Sequence, residues 1–259
     1  MFSIDDRNRV RDRMLALAAS DPRVVAGAVV GSLALHEGDR WSDLDLTFAV
    51  ADDVPISDVL NDWTGAIMDE YDAIVLFDLP AGASIYRVFM LPGCLQFDLS
   101  FTPAAAFGAT SPKFRLLFGE AVTKPHMPAP SPQELFGYAV HHALRARFCV
   151  ERGRVWQAEY WLSSLCDYAL HLACLRHELP ARNGRGFDDL PADVLAAFAG
   201  ALARSLDPAE LLRALDVAIT GLLREAAQAP EIADTAAQVE PQLRELTQTW
   251  PSEPETSTE

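Results

Sequence analysis

Gly31-Ser32, ten residues, then Asp43-Leu44-Asp45 is the part of this chain best equipped for chemistry. Residues i and i+2 of a strand share a face and stand roughly 6.5–7 Å apart. Asp43 and Asp45 at the head of a strand therefore point the same way, while Leu44 and Leu46 point into a core. Two carboxylates at that separation can share a pair of divalent ions held ~3.5–4 Å apart. A Gly-Ser turn at the start of a helix offers backbone N–H groups to a phosphate. The two features together suit a metal-bound nucleoside triphosphate.

The surrounding elements must hold that arrangement. The apolar run Val24–Val30 predicts a buried strand that ends at Gly31, followed by a short helix. Residues 44–50 predict a second apolar strand. A later run, Cys94 to Phe101, alternates Leu95, Phe97, Leu99 and Phe101 with Gln96, Asp98 and Ser100. This alternation places Asp98 on the polar face of a third strand.

In these residues the chain resembles the nucleotidyltransferase superfamily that includes DNA polymerase beta and the aminoglycoside and lincosamide nucleotidyltransferases. The resemblance covers about residues 20–105. It is carried by Gly31, Ser32, Asp43 and Asp45, with Asp98 as the later acid. An isolated Asp-x-Asp is more often a solvated turn; the ordered set is what is specific. The resemblance implies a two-metal magnesium site on Asp43, Asp45 and Asp98, with ATP or another nucleoside triphosphate as donor. It also implies Gly31 and Ser32 as the cradle of a β- or γ-phosphate. A nucleoside monophosphate, AMP if the donor is ATP, would pass to an acceptor hydroxyl. Asp98 is the first candidate for the base and Glu159 the second.

Composition fits a globular enzyme. The 259 residues are half apolar and carry a net charge of −16. No apolar run reaches the ~20 residues that span a bilayer, and the N-terminus lacks the apolar core of a signal peptide. Cys94, Cys149, Cys166 and Cys174 form no Cys-x-x-Cys pair and are expected to be reduced. A cytoplasmic location and no membrane partner are the expectation. Residues 1–123 carry a net −9, residues 124–187 a net +3 and residues 188–259 a net −10. Nucleic-acid affinity comes largely from Lys and Arg, so a nucleic-acid partner is not expected. A small hydroxylated acceptor, cationic rather than anionic, suits the charge better. The basic middle offers arginines to a triphosphate, or forms a solvated helix face with i,i+4 partners.

The fold class expected is α+β, a mixed-sheet nucleotidyltransferase domain over 1–123 and an all-α helical bundle over 124–259. Helices are predicted at 5–19, with Val10, Met14 and Leu17 inward, and at 57–70, with Ser57 as N-cap. Strands at 73–79, 84–91 and 94–101 complete the sheet, with Leu91–Cys94 as a hairpin turn. Four prolines between Lys124 and Pro132 mark the boundary. Helices follow at 132–152, 154–178, 191–205, 208–228 and 231–248, the fourth starting on Asp207-Pro208. The ending WPSEPETSTE is expected to fray.

Glu159, Ser163 and Asp167 recur every four residues and form a polar helical stripe. The resemblance makes Glu159 an acceptor-site candidate, with the acceptor expected between the two domains. The plain alternative pairs Glu159 with Arg152 or Arg154. Arg182 or Arg185 is offered for a phosphate, or else belongs to an interhelical turn. His141, His142, His171 and His177 lack a third ligand at good spacing and are expected to pack or face solvent. Three functions stay open: transfer to a small molecule such as an antibiotic, nucleotidylation of a protein as in toxin–antitoxin pairs, and nucleotide binding without turnover.

Overall fold

The computed structural model describes residues 1–35, 37–125 and 128–248. The ending expected to fray lies outside the described residues. The chain divides into two compact units, Met1–Pro128 and Ala129–Glu259, and the division falls within the proline-rich segment.

The first unit is a six-stranded mixed sheet with two helices. Helix α1 spans Ile4–Ser20 and opens with a capping box between Ser3 and Asp6. Strands β1 (Val24–Val30) and β2 (Leu44–Val50) keep the bounds expected from their apolar runs. Helix α2 is Ile56–Tyr71, and β3 (Ile74–Ala81), β4 (Ser84–Leu91), β5 (Leu95–Pro103) and β6 (Phe114–Phe118) follow. The spatial order is β3-β4-β5-β2-β1-β6. Only the central pair β2–β5 is parallel; the other neighbours are antiparallel.

Two expectations need correction here. Ser57 does not cap α2: Pro55 stands at the N-cap and no side chain bonds the first turn. Pro55 pre-sets φ for the entry to the helix, which leaves Ser57 two residues further on, inside the first turn. Strand β6 was not anticipated at all. Its five residues, Phe-Arg-Leu-Leu-Phe, are too few to show a period, although turn residues flank them.

Strand alternation sorts the faces. Leu44, Leu46, Phe48 and Val50 join Phe97, Leu99 and Phe101 beneath α1 and α2, where Val10, Met14, Trp63 and Ile67 are buried. Trp63 is the keystone, its ring centroid 5.1 Å from both Phe48 and Phe101. The other face is lined by small residues, Ala26, Ala28 and Ala49, under Phe107. Asp45 and Asp98 belong to that face by parity.

Trp63 also donates from Nε1 to Asp21 Oδ2 at 3.0 Å. Hydrogen bonds from Arg23, and then that from Trp63, hold the Asp21 carboxyl down at about 2 against the opposing effect of its burial. A carboxyl depressed on folding contributes stability above its unfolded pKa near 4 and loses it as pH falls toward the folded value. We predict that this contribution, of order 1–2 kcal/mol, disappears between about pH 4 and pH 2. Melting temperatures of the wild type and Asp21→Asn, taken from pH 6 to pH 2, should converge across that window. A deficit in the variant that stays constant down to pH 2 would contradict the assignment.

The second unit is helical: α3 (Pro132–Glu151), α4 (Val155–Arg176), α5 (Ala192–Phe198), α6 (Pro208–Ala226) and α7 (Ala233–Glu245). Ser131 and Glu134 form the capping box of α3. Alanines at 139, 143, 146, 169, 173, 214 and 218 let the helices approach closely, and leucines fill the seams. The helix expected over 191–205 stops at Phe198 and gives way to a 3₁₀ turn at Ala199–Ala201. Arg213 holds that turn, donating from Nη1 to Gly200 O at 2.7 Å. Asp207 occupies the N-cap of α6 as expected, but its carboxylate accepts from Ser205 Oγ instead of the helix.

Candidate active site

Asp45 and Asp98 are direct partners in the parallel β2–β5 ladder. Adjacent strands lie ~4.8 Å apart, so the two carboxylates stand side by side on one face. Asp43 completes the group: ligand oxygens of Asp43, Asp45 and Asp98 all lie within 4.8 Å of one another, and each residue is half-buried. The two acids named from spacing and the third, named by the resemblance, are thus brought together.

The approach to β2 is braced from α1. Arg7 is buried, and its Nη1 donates to the carbonyl oxygens of Asp39 and Ser42, both at 2.7 Å. Within the loop the Asp39 carboxylate accepts from the Trp41 N–H and from Ser42 Oγ. Arg7 therefore fixes the residue immediately before Asp43. Nothing in the local sequence marks it for that role, because the contact crosses 35 positions.

Gly31 closes the other side. Its φ is +72°, a region that costs any residue with a Cβ. A Cβ built there would fall on Asp45 Oδ2. The Gly31 N–H is already committed, donating to the Lys113 carbonyl at 3.2 Å. That bond ties the turn to the start of β6. Gly31 thus makes room for Asp45, and its own N–H is taken up by the fold. Ser32 opens a 3₁₀ turn of only four residues, Ser32–Leu35, where a short helix was expected. Its carbonyl accepts from the Glu37 N–H at 3.1 Å. Glu37 in turn pairs with Lys113, Nζ to Oε2 at 3.3 Å. Lys113 is a cation beside the Gly-Ser turn that sequence reasoning missed, because the strand that positions it was missed.

Electrostatically the cluster is loaded. Burial, and secondarily the charge of Asp43, push the Asp98 carboxyl above its ordinary value, while a hydrogen bond from Gln96 pulls the other way. That bond, Gln96 Nε2 to Asp98 Oδ1 at 3.0 Å, fixes the carboxylate from two residues back on the same face. Three carboxylates this close repel one another strongly unless a cation sits among them. The donor set is all oxygen, which suits magnesium or another hard divalent ion. The residues present therefore fit such an ion.

No protein-family model matches the chain, and no curated protein matches it. One solved structure that it resembles is a crystal structure of an aminoglycoside 6-adenyltransferase from Bacillus subtilis. The TM-score is 0.40 at 12% identity, over 94% of this chain and 99% of that chain.

The remaining candidates lie in the second unit. Glu159 and Ser163 meet on α4, Ser163 Oγ donating to Glu159 Oε1. Glu159 is thus paired with Ser163 and not with Arg152 or Arg154. Asp167 continues the stripe beside His171, 3.5 Å from its Nδ1. Arg182 and Arg185 are exposed in the turn after α4, where Asn183 takes a left-handed φ of 59°. Among the described residues neither arginine forms an ion pair. His142 is buried in an aromatic cluster, as expected of a packing residue.

Among the described residues no helix is long and apolar enough to cross a membrane.

Proposed function

We propose that this protein is a metal-dependent nucleotidyltransferase that moves a nucleoside monophosphate, AMP from ATP, to a hydroxyl of a small acceptor. The observation that carries the reading is the convergence of Asp43, Asp45 and Asp98 within 4.8 Å on one sheet face, under a glycine whose missing Cβ leaves space for Asp45.

Asp43, Asp45 and Asp98 would hold magnesium, whose chemistry at such a site is to offset charge on the triphosphate oxygens and on the departing pyrophosphate. The Ser32 N–H would take the phosphate in place of the Gly31 N–H, which is already bonded to Lys113. Lys113 can exchange Glu37 for a phosphate, bringing positive charge into an acidic unit. The acceptor oxygen attacks the α-phosphorus in line, the bond to the bridging oxygen breaks, and pyrophosphate leaves. The acceptor proton passes to a base. Asp98 is the first choice, because it would lie beside the metal and the attacking oxygen and Gln96 holds its carboxylate in place. Glu159 is the second. Arg185, exposed in the turn after α4, stays part of this proposal as a bidentate phosphate ligand.

The acceptor would be small, hydroxylated and cationic, an antibiotic among the options, and no nucleic-acid partner is proposed. Support comes from the net charge of −16 and from the stripe Glu159–Ser163–Asp167. The test is transfer of label from ATP carrying a labelled α-phosphate, in the presence of magnesium and a panel of amino sugars and lincosamides. Label on a small acceptor, with none from γ-labelled ATP, is the expected result. Label only on protein would replace this reading with protein nucleotidylation. Tight nucleotide binding with no transfer to any acceptor would replace it with a binding module.

A further inference from the structure

The two edges of the sheet are built differently. Strand β6, at one edge, has five residues with Arg115 among them, and Lys113 stands just before it. A short strand with cations is a usual defence against pairing with another chain. Strand β3, at the other edge, has eight residues and neither lysine nor arginine. It pairs with β4 on its inner side, and among the described residues nothing pairs with its outer side. Its side chains are open as well: Ile74, Phe77 and Leu79 are 55%, 54% and 55% exposed. The register sets Ile74 beside Met90, Phe77 beside Val88 and Leu79 beside Tyr86, and Val88 lies beside Asp98. The apolar strip therefore runs along the sheet face that carries the acids. Leu76, the extra residue of a bulge between Val75 and Phe77, is exposed too.

Charge and area decide what covers this edge. The one charged residue of β3, Asp78, is neutralised inside the hairpin by Arg87, Nη2 to Oδ2 at 2.6 Å. The edge is thus neutral in a unit of strong negative charge, and it holds no free cation for an acidic peptide or a nucleic acid. The occupant that matches it in length, apolar strip and neutrality is β3 of a second copy. Each Asp78 stays with its own Arg87, so no uncompensated like charges meet. An exposed apolar patch of roughly 300–600 Å² marks a contact on a small protein. A standard interface covers roughly 800 Å² per partner, so this seam makes a weak, reversible dimer. Pro80 has no N–H to donate and ends the pairing segment at Leu79.

We infer that two copies of this protein associate through β3, antiparallel about a two-fold axis, and join their six-stranded sheets into one. Both β3 edges are consumed and the cationic β6 is left outermost in each copy, so assembly stops at two. The axis runs perpendicular to the sheet, which puts both acid clusters on the same side. Asp98 of each copy then lies five strand spacings from its counterpart, roughly 24 Å. The inference goes beyond the transfer reading, and either can fail alone.

Sedimentation equilibrium of the full chain, without nucleotide or magnesium, tests this over ~1 to ~200 µM. The mass should rise from 28.3 kDa toward twice that value and go no higher. Added sodium chloride should strengthen association, because it screens the repulsion of two chains of net charge −16 and leaves apolar burial intact. Phe77→Lys and Leu79→Lys, both at exposed positions, should each weaken association at least about tenfold with little change in melting temperature. Leu116→Lys, at an exposed apolar position of β6, is the control and should leave it unchanged. Hydrogen exchange of the wild type gives a reading that needs no variant: amides of β3 should exchange more slowly as concentration rises. A monomer throughout the range, growth past two copies, association weakened by salt, or a dimer unmoved by both β3 substitutions would each overturn the inference. A dimer whose β3 amides gain no protection would do so as well.

Discussion

Asp45→Asn should lower nucleotidyl transfer at least ~10³-fold, equivalent to about 4 kcal/mol of barrier, without unfolding the protein. Asp45 is the residue shared by every part of the site. It pairs with Asp98 across the parallel ladder, follows Asp43 on the same face, and fills the space left by Gly31. Asparagine keeps the shape and one oxygen but removes the charge on which a divalent ion depends. The same substitution removes one of three mutually repelling carboxylates, so the metal-free melting temperature should hold or rise. Steady-state rates and thermal melts on one preparation check both halves. A variant that loses activity because it melts early would show that Asp45 is structural.

Gly31→Ala should cost both stability and activity. The φ of +72° makes alanine unfavourable by about 1 kcal/mol, and the added methyl would displace the Asp45 carboxylate. A shift of about 1 Å in a catalytic group can cost ~10²-fold, so a rate loss of that order is expected. Gly82→Ala is the matched control. Gly82 also has positive φ, +62°, in the β3–β4 hairpin, but nothing lies within 4 Å of its Cβ position. It should lose similar stability and no activity. If both variants lose activity alike, backbone strain and not the position of Asp45 is responsible.

The comparison of sequence with structure follows the range of the interactions. Strands β1 and β2 were legible to the residue because long apolar runs ended at Gly31 and began after Asp43. The carboxylate cluster was legible in two steps: period-2 parity puts Asp43 and Asp45 on one face and Asp98 on the polar face of its own strand, and the resemblance joined the third acid to the pair. The use of the Gly31 N–H was not legible, since its partner Lys113 lies on a strand too short to show a pattern. Arg7 was hidden for the same reason: its carbonyl partners are 32 and 35 residues away. His142 was expected to pack or face solvent; it packs, and its neighbours Trp161 and Tyr168 come from the facing helix α4. A stripe of Glu159, Ser163 and Asp167 could be counted along one helix; the aromatic wall beside it depends on how two helices meet.

Calorimetric titration of ATP with and without magnesium tests the central claim most directly. Triphosphate oxygens facing three carboxylates in a chain of net charge −16 should be repelled unless a divalent ion sits between them. Affinity should rise at least about tenfold with magnesium, and that gain should vanish in the Asp43→Asn, Asp45→Asn double variant. Equal affinity in EDTA and in magnesium would contradict a metal site at Asp43, Asp45 and Asp98.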